Sequence, residues 1–399
     1  MNQNVFAKNR VESIDVLRGI VMIIMALDHV RDFFHVGAFQ ADPLDPATTS
    51  PMLYFTRWIT HLCAPTFVFL AGTSSYLVGL RKSKAELSSF LIKRGVWLIL
   101  VEVLVVTLAL SFNPLYNFLF LQVIWAIGIS MVMLGLLVRL PYAAIFTIGL
   151  VIVFGHNLLD YPEAAHAAHK QPLGFLWDLV HGARFAIYSY APNRVLAIIY
   201  PFLPWTGLML LGYSAGKLFT AEFPAARRKK ILVYLGFGAI ALFFLLRGIN
   251  LYGDPVRWVK QDTLLKNLFA FFNVNKYPPS LMYMSITIGV SLLILRLLEG
   301  VRNPITEFSK VFGRVPFFYY VVHFFLIHTL TVIAFYMSGY KSGDIVSNQV
   351  PFLFRPVEFG YSLWGVYLIW AAIIAFLYPL CRKYNNYKST HQKWWLSYI

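Results

Sequence analysis

Apolar runs of about twenty residues recur along the chain, broken by polar, Gly- or Pro-containing connections. A run of that length crosses a bilayer core as a helix, because a helix satisfies its own backbone hydrogen bonds where no water can. The pattern predicts ten spans, at roughly 13–34, 53–80, 89–111, 116–138, 141–159, 194–219, 230–250, 279–298, 312–337 and 361–381. An even number returns both ends of the chain to one side. No internal repeat and no second soluble domain interrupts the series. Residues 1–399 therefore read as a single all-α domain, a polytopic integral membrane protein with about ten transmembrane helices. The first run is long and no small-residue cleavage site follows it, so it is expected to remain as the first span.

Composition agrees. The chain is 58% hydrophobic and 13% charged, whereas a soluble domain carries about 25% charged residues. An ordinary globular protein is excluded. In a soluble chain a net charge of +16 would point to nucleic acid. Here the cations follow the connections: Lys8 and Arg10; Arg81, Lys82, Lys84, Lys93 and Arg94; "RRKK" at 227–230; Arg296, Arg302, Lys310 and Arg314; Arg382, Lys383, Lys388 and Lys393. Connections rich in Lys and Arg face the cytoplasm. Both termini are therefore expected in the cytoplasm, with the lipid bilayer as partner and no nucleic acid. A second role for these cations in holding an anionic co-substrate stays open.

The opposite connections, 35–52, 160–193, 251–278 and 338–360, are long, and the last three are rich in Tyr, Trp, His and Pro. Long loops without periodicity are often functional, and these are expected to cover the outer face. The tail "KWWLSYI" reads as an interfacial anchor. Cys63 and Cys381 lie in or at the end of apolar segments and are expected to be free thiols.

The stretch "LRGIVMIIMALDHVRDFFH", residues 17–35, sets ionisable groups in an apolar helix. Arg18 and His29 are eleven residues apart, close to three full turns, so they share a face about 16 Å apart along the axis. Asp15 precedes Arg18 by three residues and can pair with it. Asp32 follows His29 by three and is expected to orient its imidazole. Asp28 is turned about 100° away and can pair with Arg31. Charged groups inside a membrane span are costly and face the bundle interior or a wet cavity. They make either a buried polar network that fixes helix packing or a membrane-embedded acid–base site. Histidine suits the second, since its pKa lies near the working pH.

Other polar groups sit in apolar segments. Arg57 and His61, four apart, share a face and form either a packing element or a cavity wall where Arg57 meets a phosphate or carboxylate. "LAGTSS" has the small residues that let helices approach closely. His323 lies mid-helix in "FFYYVVHFFLIH", and His328 is about 140° round from it. Glu102 and Gln122 read as structural. In "NKYPPS" two prolines give an extended entry and Ser280 is placed to cap the next helix, while Lys276 and Tyr277 are poised to meet substrate. His166 and His169 in "AHAAH" have a metal-like spacing but no evident further ligands, so no metal is expected.

"SIDVLRGIVMIIMALDHV" resembles the opening helix of transmembrane acyltransferases. In the acyltransferase-3 families an Arg is followed, after ten residues, by an essential His, and Arg18 and His29 match that spacing. The wider pattern resembles the bacterial relatives of lysosomal heparan-α-glucosaminide N-acetyltransferase. It is carried, in order, by "TRWITHLCAPTFVFLAGTSSYL", "LQVIWAIGISMVML", "YPFLPWTGLMLLGYSAG", "NVNKYPPSLMYMSITIG" and "FGRVPFFYYVVHFFLIH", within about 11–338. One departure matters. In that family the position matching His29 holds Asn, and the catalytic His lies later, in the loop before the second helix, where this chain offers His35.

The resemblance implies a transmembrane acyltransferase-like fold in a bacterial inner membrane. It implies acetyl-CoA or another acyl-CoA as donor, entering from the cytoplasm. The acceptor would be an amine or hydroxyl, on a sugar or cell-envelope glycan, reached from outside. His29 is then the catalytic base, with Asp28 and Asp32 beside it and His35 as fallback. Arg18 and Asp15 lie near the donor path. Arg57, His61, Lys276, Tyr277 and His323 are the remaining donor- or substrate-binding candidates. An acyl-histidine intermediate is the alternative mechanism. A homodimer is compatible with this reading. Two other classes stay open: a secondary transporter with His29, Asp28 and Asp32 as proton relay, and a non-catalytic glycan-binding membrane protein.

Overall fold

The structure, a computed structural model, describes residues 11–168, 173–182, 185–347, 349–391 and 393–397. Lys8, Arg10, His169 and the last two residues of the aromatic tail lie outside the described residues. Helix α1 spans Glu12–Phe34, and α2 (Pro51–Ile59) runs through one 3-10 turn into α3 (Cys63–Gly79). A π-helical stretch, Glu102–Val106, joins α4 (Lys84–Val101) to α5 (Thr107–Ser111). Strand β1 (Phe118–Leu121) leads into α6 (Val123–Leu137), followed by α7 (Tyr142–Gly155), α8 (Asp160–Ala168) and the short α9 (Phe175–Val180). Strands β2 (Ala186–Ala191) and β3 (Arg194–Ile198) precede α10 (Phe202–Ala215) and α11 (Ala225–Ile249). The rest is α12 (Leu264–Phe272), α13 (Leu281–Leu298), α14 (Pro304–Arg314), α15 (Pro316–Met337) and α16 (Leu363–Thr390).

Among the described residues, seven helical columns are long and apolar enough to cross a membrane, and α6 is a shorter apolar helix. The protein is thus an all-α polytopic membrane protein. Each of the ten predicted spans contains one of these columns, α6, α1 or α10. α1 carries too many charges, and α10 at 14 residues is too short, to stand among the seven. Two spans need correction. Residues 118–121 and 194–198 are strands, paired in parallel with Phe118 opposite Val195, and β2 adds antiparallel to β3. An apolar run of four or five residues has no periodicity that separates strand from helix.

Local sequence explains the helix ends. Ser83 and Glu86 form a capping box at α4, and Ser280 caps α13 as expected, accepting from the Tyr283 N–H. The "NKYPPS" entry is not uniformly extended, because the Tyr277–Pro278 bond is cis. The buried Glu102 carboxylate accepts from Gln122 N at 3.1 Å and Trp125 N at 3.3 Å, so it caps α6 from a neighbouring column.

Helix α1 lies at the centre, packed against α3, α13, α14, α15 and α16. Glycines set the closest crossings. A Cβ on Gly19 of α1 would stand 1.8 Å from Ser309 O of α14, and one on Gly72 of α3, in "LAGTSS", 2.1 Å from Met209 O of α10. There the Thr73 hydroxyl donates to Gly212 O. Small residues serve close backbone approach, as the sequence suggested.

Candidate active site

The four long connections gather at one end of the bundle over a cavity of about 940 Å3. All four long connections contribute to its wall. Asp28, His29, Asp32, Arg57, His61, Lys276 and Tyr277 line it, so seven of the ten predicted site residues meet there. A second cavity, of about 300 Å3, lies among α1, α3, α4, α6 and α15. Arg18, Ser74, Arg94 and Tyr320 are in its wall. Arg18 and His29 share a helix face, as their spacing implied, but open into different cavities.

The partition between the cavities is aromatic. His29 stacks on Phe324 at 4.3 Å between centroids and meets Tyr320 edge-on at 6.3 Å. His29 Nδ1 lies 2.7 Å from His323 Nε2. His323 Nδ1 in turn lies 2.5 Å from Tyr320 O and 3.1 Å from Tyr319 O. A carbonyl only accepts, so His323 carries its proton on Nδ1 and presents a lone pair at Nε2. His29 then donates from Nδ1 and keeps its own lone pair on Nε2. His323, the eighth predicted residue, therefore fixes the tautomer of the cavity-lining histidine.

Asp32 does not orient His29. Its carboxylate is taken by Arg31 Nη2 at 2.6 Å, and the imidazole is held by His323 instead. Asp28 is shared between Arg57 at 2.8 Å and Arg31 at 3.1 Å, and Arg57 also donates to the Thr60 hydroxyl. The expected Asp28–Arg31 pair is present. Two aspartates and two arginines make a partly buried lattice, in which each charge has a partner. At the smaller cavity Arg18 donates to Ser74 Oγ at 2.9 Å and pairs with Asp15 at 3.4 Å, as expected.

Lys276 lies over the Tyr200 and Tyr277 rings at 6.0 and 5.1 Å. Burial opposes ionisation of the Tyr277 phenol, but Lys276 and Arg57 outweigh it and bring the pKa below the ordinary tyrosine value. Asp254 holds this segment by accepting from Asn275 N and the Ser280 hydroxyl. His35 is not part of the cavity wall. Burial, with Arg31 and Arg355 nearby, lowers its pKa.

Sequence reasoning missed three contributors. The Tyr320 hydroxyl is buried without a hydrogen-bond partner among the described residues. Its i, i+3 relation to His323 was the available signal. Gln122 lines the large cavity although it had read as structural. Arg247, 1% exposed, gives hydrogen bonds to Val256 O in the loop before α12 and to the carbonyls of Ala270, Phe271 and Asn273 at the C-terminal end of α12. Nothing local marks such a partner set. His328 sets its ring nitrogens against two backbone carbonyls, Ala109 O at 3.2 Å and Leu353 O at 2.9 Å, and lies in the wall of neither cavity. His166 faces Pro162 O.

A helical membrane bundle with a histidine between two cavities defines the class: a membrane protein with a solvent-reaching, ionisable interior site. The chain matches the family model described as heparan-α-glucosaminide N-acetyltransferase, catalytic, over residues 10–248, more than half its length. It belongs to that family, and so is a membrane acetyltransferase at the family level. No curated protein matches it. The matched region holds His29, Arg57 and His61, while Lys276, Tyr277 and His323 lie beyond it.

Proposed function

We propose that the protein moves an acetyl, or another acyl, group from acyl-CoA to an amine or hydroxyl of a sugar or cell-envelope glycan. The observation that carries this is the His29 ring. It is held through Nδ1 by His323, lines the large cavity, and is backed by Tyr320 of the smaller one. The acceptor occupies the large cavity under the loops. The donor's thioester approaches through the smaller, mainly apolar cavity, whose Arg18 and Arg94 lie toward the basic connections. His29 Nε2 takes the proton as the acceptor attacks the thioester carbonyl, the carbon–sulfur bond breaks, and the imidazolium returns that proton to the sulfur so that CoA leaves as its thiol. The Arg18–His29 spacing of acyltransferase-3 enzymes supports the same division of labour. Arg57 and Lys276, both in the wall, favour an acceptor with an acidic group.

The test is acyl transfer by purified protein from radiolabelled acetyl-CoA to a panel of amino sugars and cell-envelope glycans. Label in an acceptor supports the proposal. Failure to bind any acyl-CoA sinks it and favours transport. The transporter reading draws on the same two cavities, one toward each end of α1.

The proposal places the basic connections and both termini in the cytoplasm of a bacterial inner membrane. A cysteine placed at Ser83 should resist an impermeant thiol reagent added to intact cells and react after permeabilisation. Ready labelling of intact cells would invert the topology.

A further inference from the structure

Away from His29, two histidines and two carboxylates converge between the end of α7 and the segment after α9. His156 and His181 are 3% and 0% exposed. His181 Nδ1 lies 2.7 Å from Glu163 Oε1, which also accepts from Trp177 Nε1 at 2.7 Å. An ionised carboxylate only accepts, so His181 carries a proton on Nδ1, and Nε2 is the ring nitrogen left to meet an ion. That Nε2 faces His156 Nδ1 at 3.1 Å and Asp160 Oδ1 at 3.9 Å. Asp160 Oδ2 accepts from Asn157 at 2.7 Å. Oδ1 is buried and has no hydrogen-bond partner among the described residues. A buried carboxylate oxygen left bare is costly and calls for an explanation.

We propose that these residues bind a divalent transition metal ion, Zn2+ by ligand type, through His181 Nε2, Asp160 Oδ1 and His156 Nδ1. Zinc bonds to N and O of about 2.0–2.2 Å put neighbouring ligand atoms of a tetrahedron about 3.3 Å apart. The separations of 3.1 and 3.9 Å bracket that value. Glu163 behind His181 makes the carboxylate–histidine–metal chain that fixes a ligand's tautomer. Asp160, Glu163 and His181 offer ligand atoms within 4.8 Å of one another, and His156 joins this group through its 3.1 Å contact to His181. A hydrogen bond from His156 to His181 explains the imidazole contact without an ion, but leaves Oδ1 bare. The residues are scattered from 156 to 181, without a regular spacing that would mark them in the sequence.

The ion braces the acceptor end of the protein. Asn157, which orients Asp160, accepts through Oδ1 from Leu281 N at the start of α13. The Lys276–Tyr277 segment of the large cavity leads directly into that helix. This inference does not depend on the acyl-transfer reading.

The test uses full-length protein without a polyhistidine tag, purified without chelator. Elemental analysis should find stoichiometric zinc, or the protein should take it up at micromolar Zn2+. Replacement by Co2+ should give the visible absorption of a tetrahedral N/O site. EDTA should lower the thermal midpoint by several degrees, and Zn2+ but not Mg2+ should restore it. Asp160→Asn and His181→Gln should lose the metal and the EDTA response, while His166→Gln keeps both. If His181→Gln does not fold, the wild-type cobalt spectrum and the near-isosteric Asp160→Asn still decide. No stoichiometric metal, no cobalt bands and no chelator shift would overturn the proposal, as would full metal retention in Asp160→Asn.

Discussion

Replacing His29 with alanine is expected to lower the turnover of acyl transfer by about a hundredfold or more while donor affinity stays near wild type. A general base acts in the transition state, so its loss falls on kcat rather than on binding of a donor that it does not hold. His29 is the ionisable group at the partition between the cavities, and its Nε2 lone pair follows from the His323 contact. His323→Ala should therefore lower kcat too, by less than His29→Ala, because it frees the tautomer and removes no base. His35→Ala should leave turnover near normal, since His35 is outside the cavity wall. The measurement is steady-state transfer with donor affinity determined separately. Normal turnover in His29→Ala with loss in His35→Ala would move the chemistry to the loop. Normal turnover in both would remove the histidine base altogether.

How much of this was legible depends on the range of the physics. In α1, spacing alone put Arg18 and His29 on one face and paired Asp15 with Arg18, because helix geometry is local. The cost of ionisable groups in a span correctly turned them toward cavities. That these are two cavities depends on where Tyr320 and Phe324 of α15 pack, 291 and 295 residues further along the chain than His29. The same limit explains Asp32. Its i, i+3 relation to His29 was real, but the neighbouring Arg31 bound it first and a distant histidine filled the place. The strands at 118–121 and 194–198 were invisible as strands, because each has its partner in the other. Arg247 has no local signal, because its carbonyl partners come from Val256 and from the end of α12. Residue type and period are read from the chain, while partner identity is decided by packing.

Asp28→Ala is expected to destabilise the protein by about 3–5 kcal/mol, more than any other single change in the α1 lattice. Asp28 is 9% exposed and balances two guanidinium groups at once. Without it Arg31 still has Asp32 at 2.6 Å, but Arg57 is left with the neutral Thr60 hydroxyl. A buried charge that loses its partner costs several kcal/mol, whereas removing both charges together is often close to neutral. Arg57→Leu should be milder than Asp28→Ala, because Asp28 keeps Arg31. Asp28→Ala combined with Arg57→Leu should recover much of the loss, with a coupling energy on the order of 1–3 kcal/mol. Equilibrium unfolding in detergent micelles, followed by tryptophan fluorescence, gives these values, and transfer assays on the folded fraction give turnover. Near-wild-type stability in Asp28→Ala together with abolished turnover would make Asp28 part of the chemistry. Loss of stability rescued by the double replacement would instead make it the fixed anion that lets Arg57 and Arg31 sit beside a neutral histidine in the membrane.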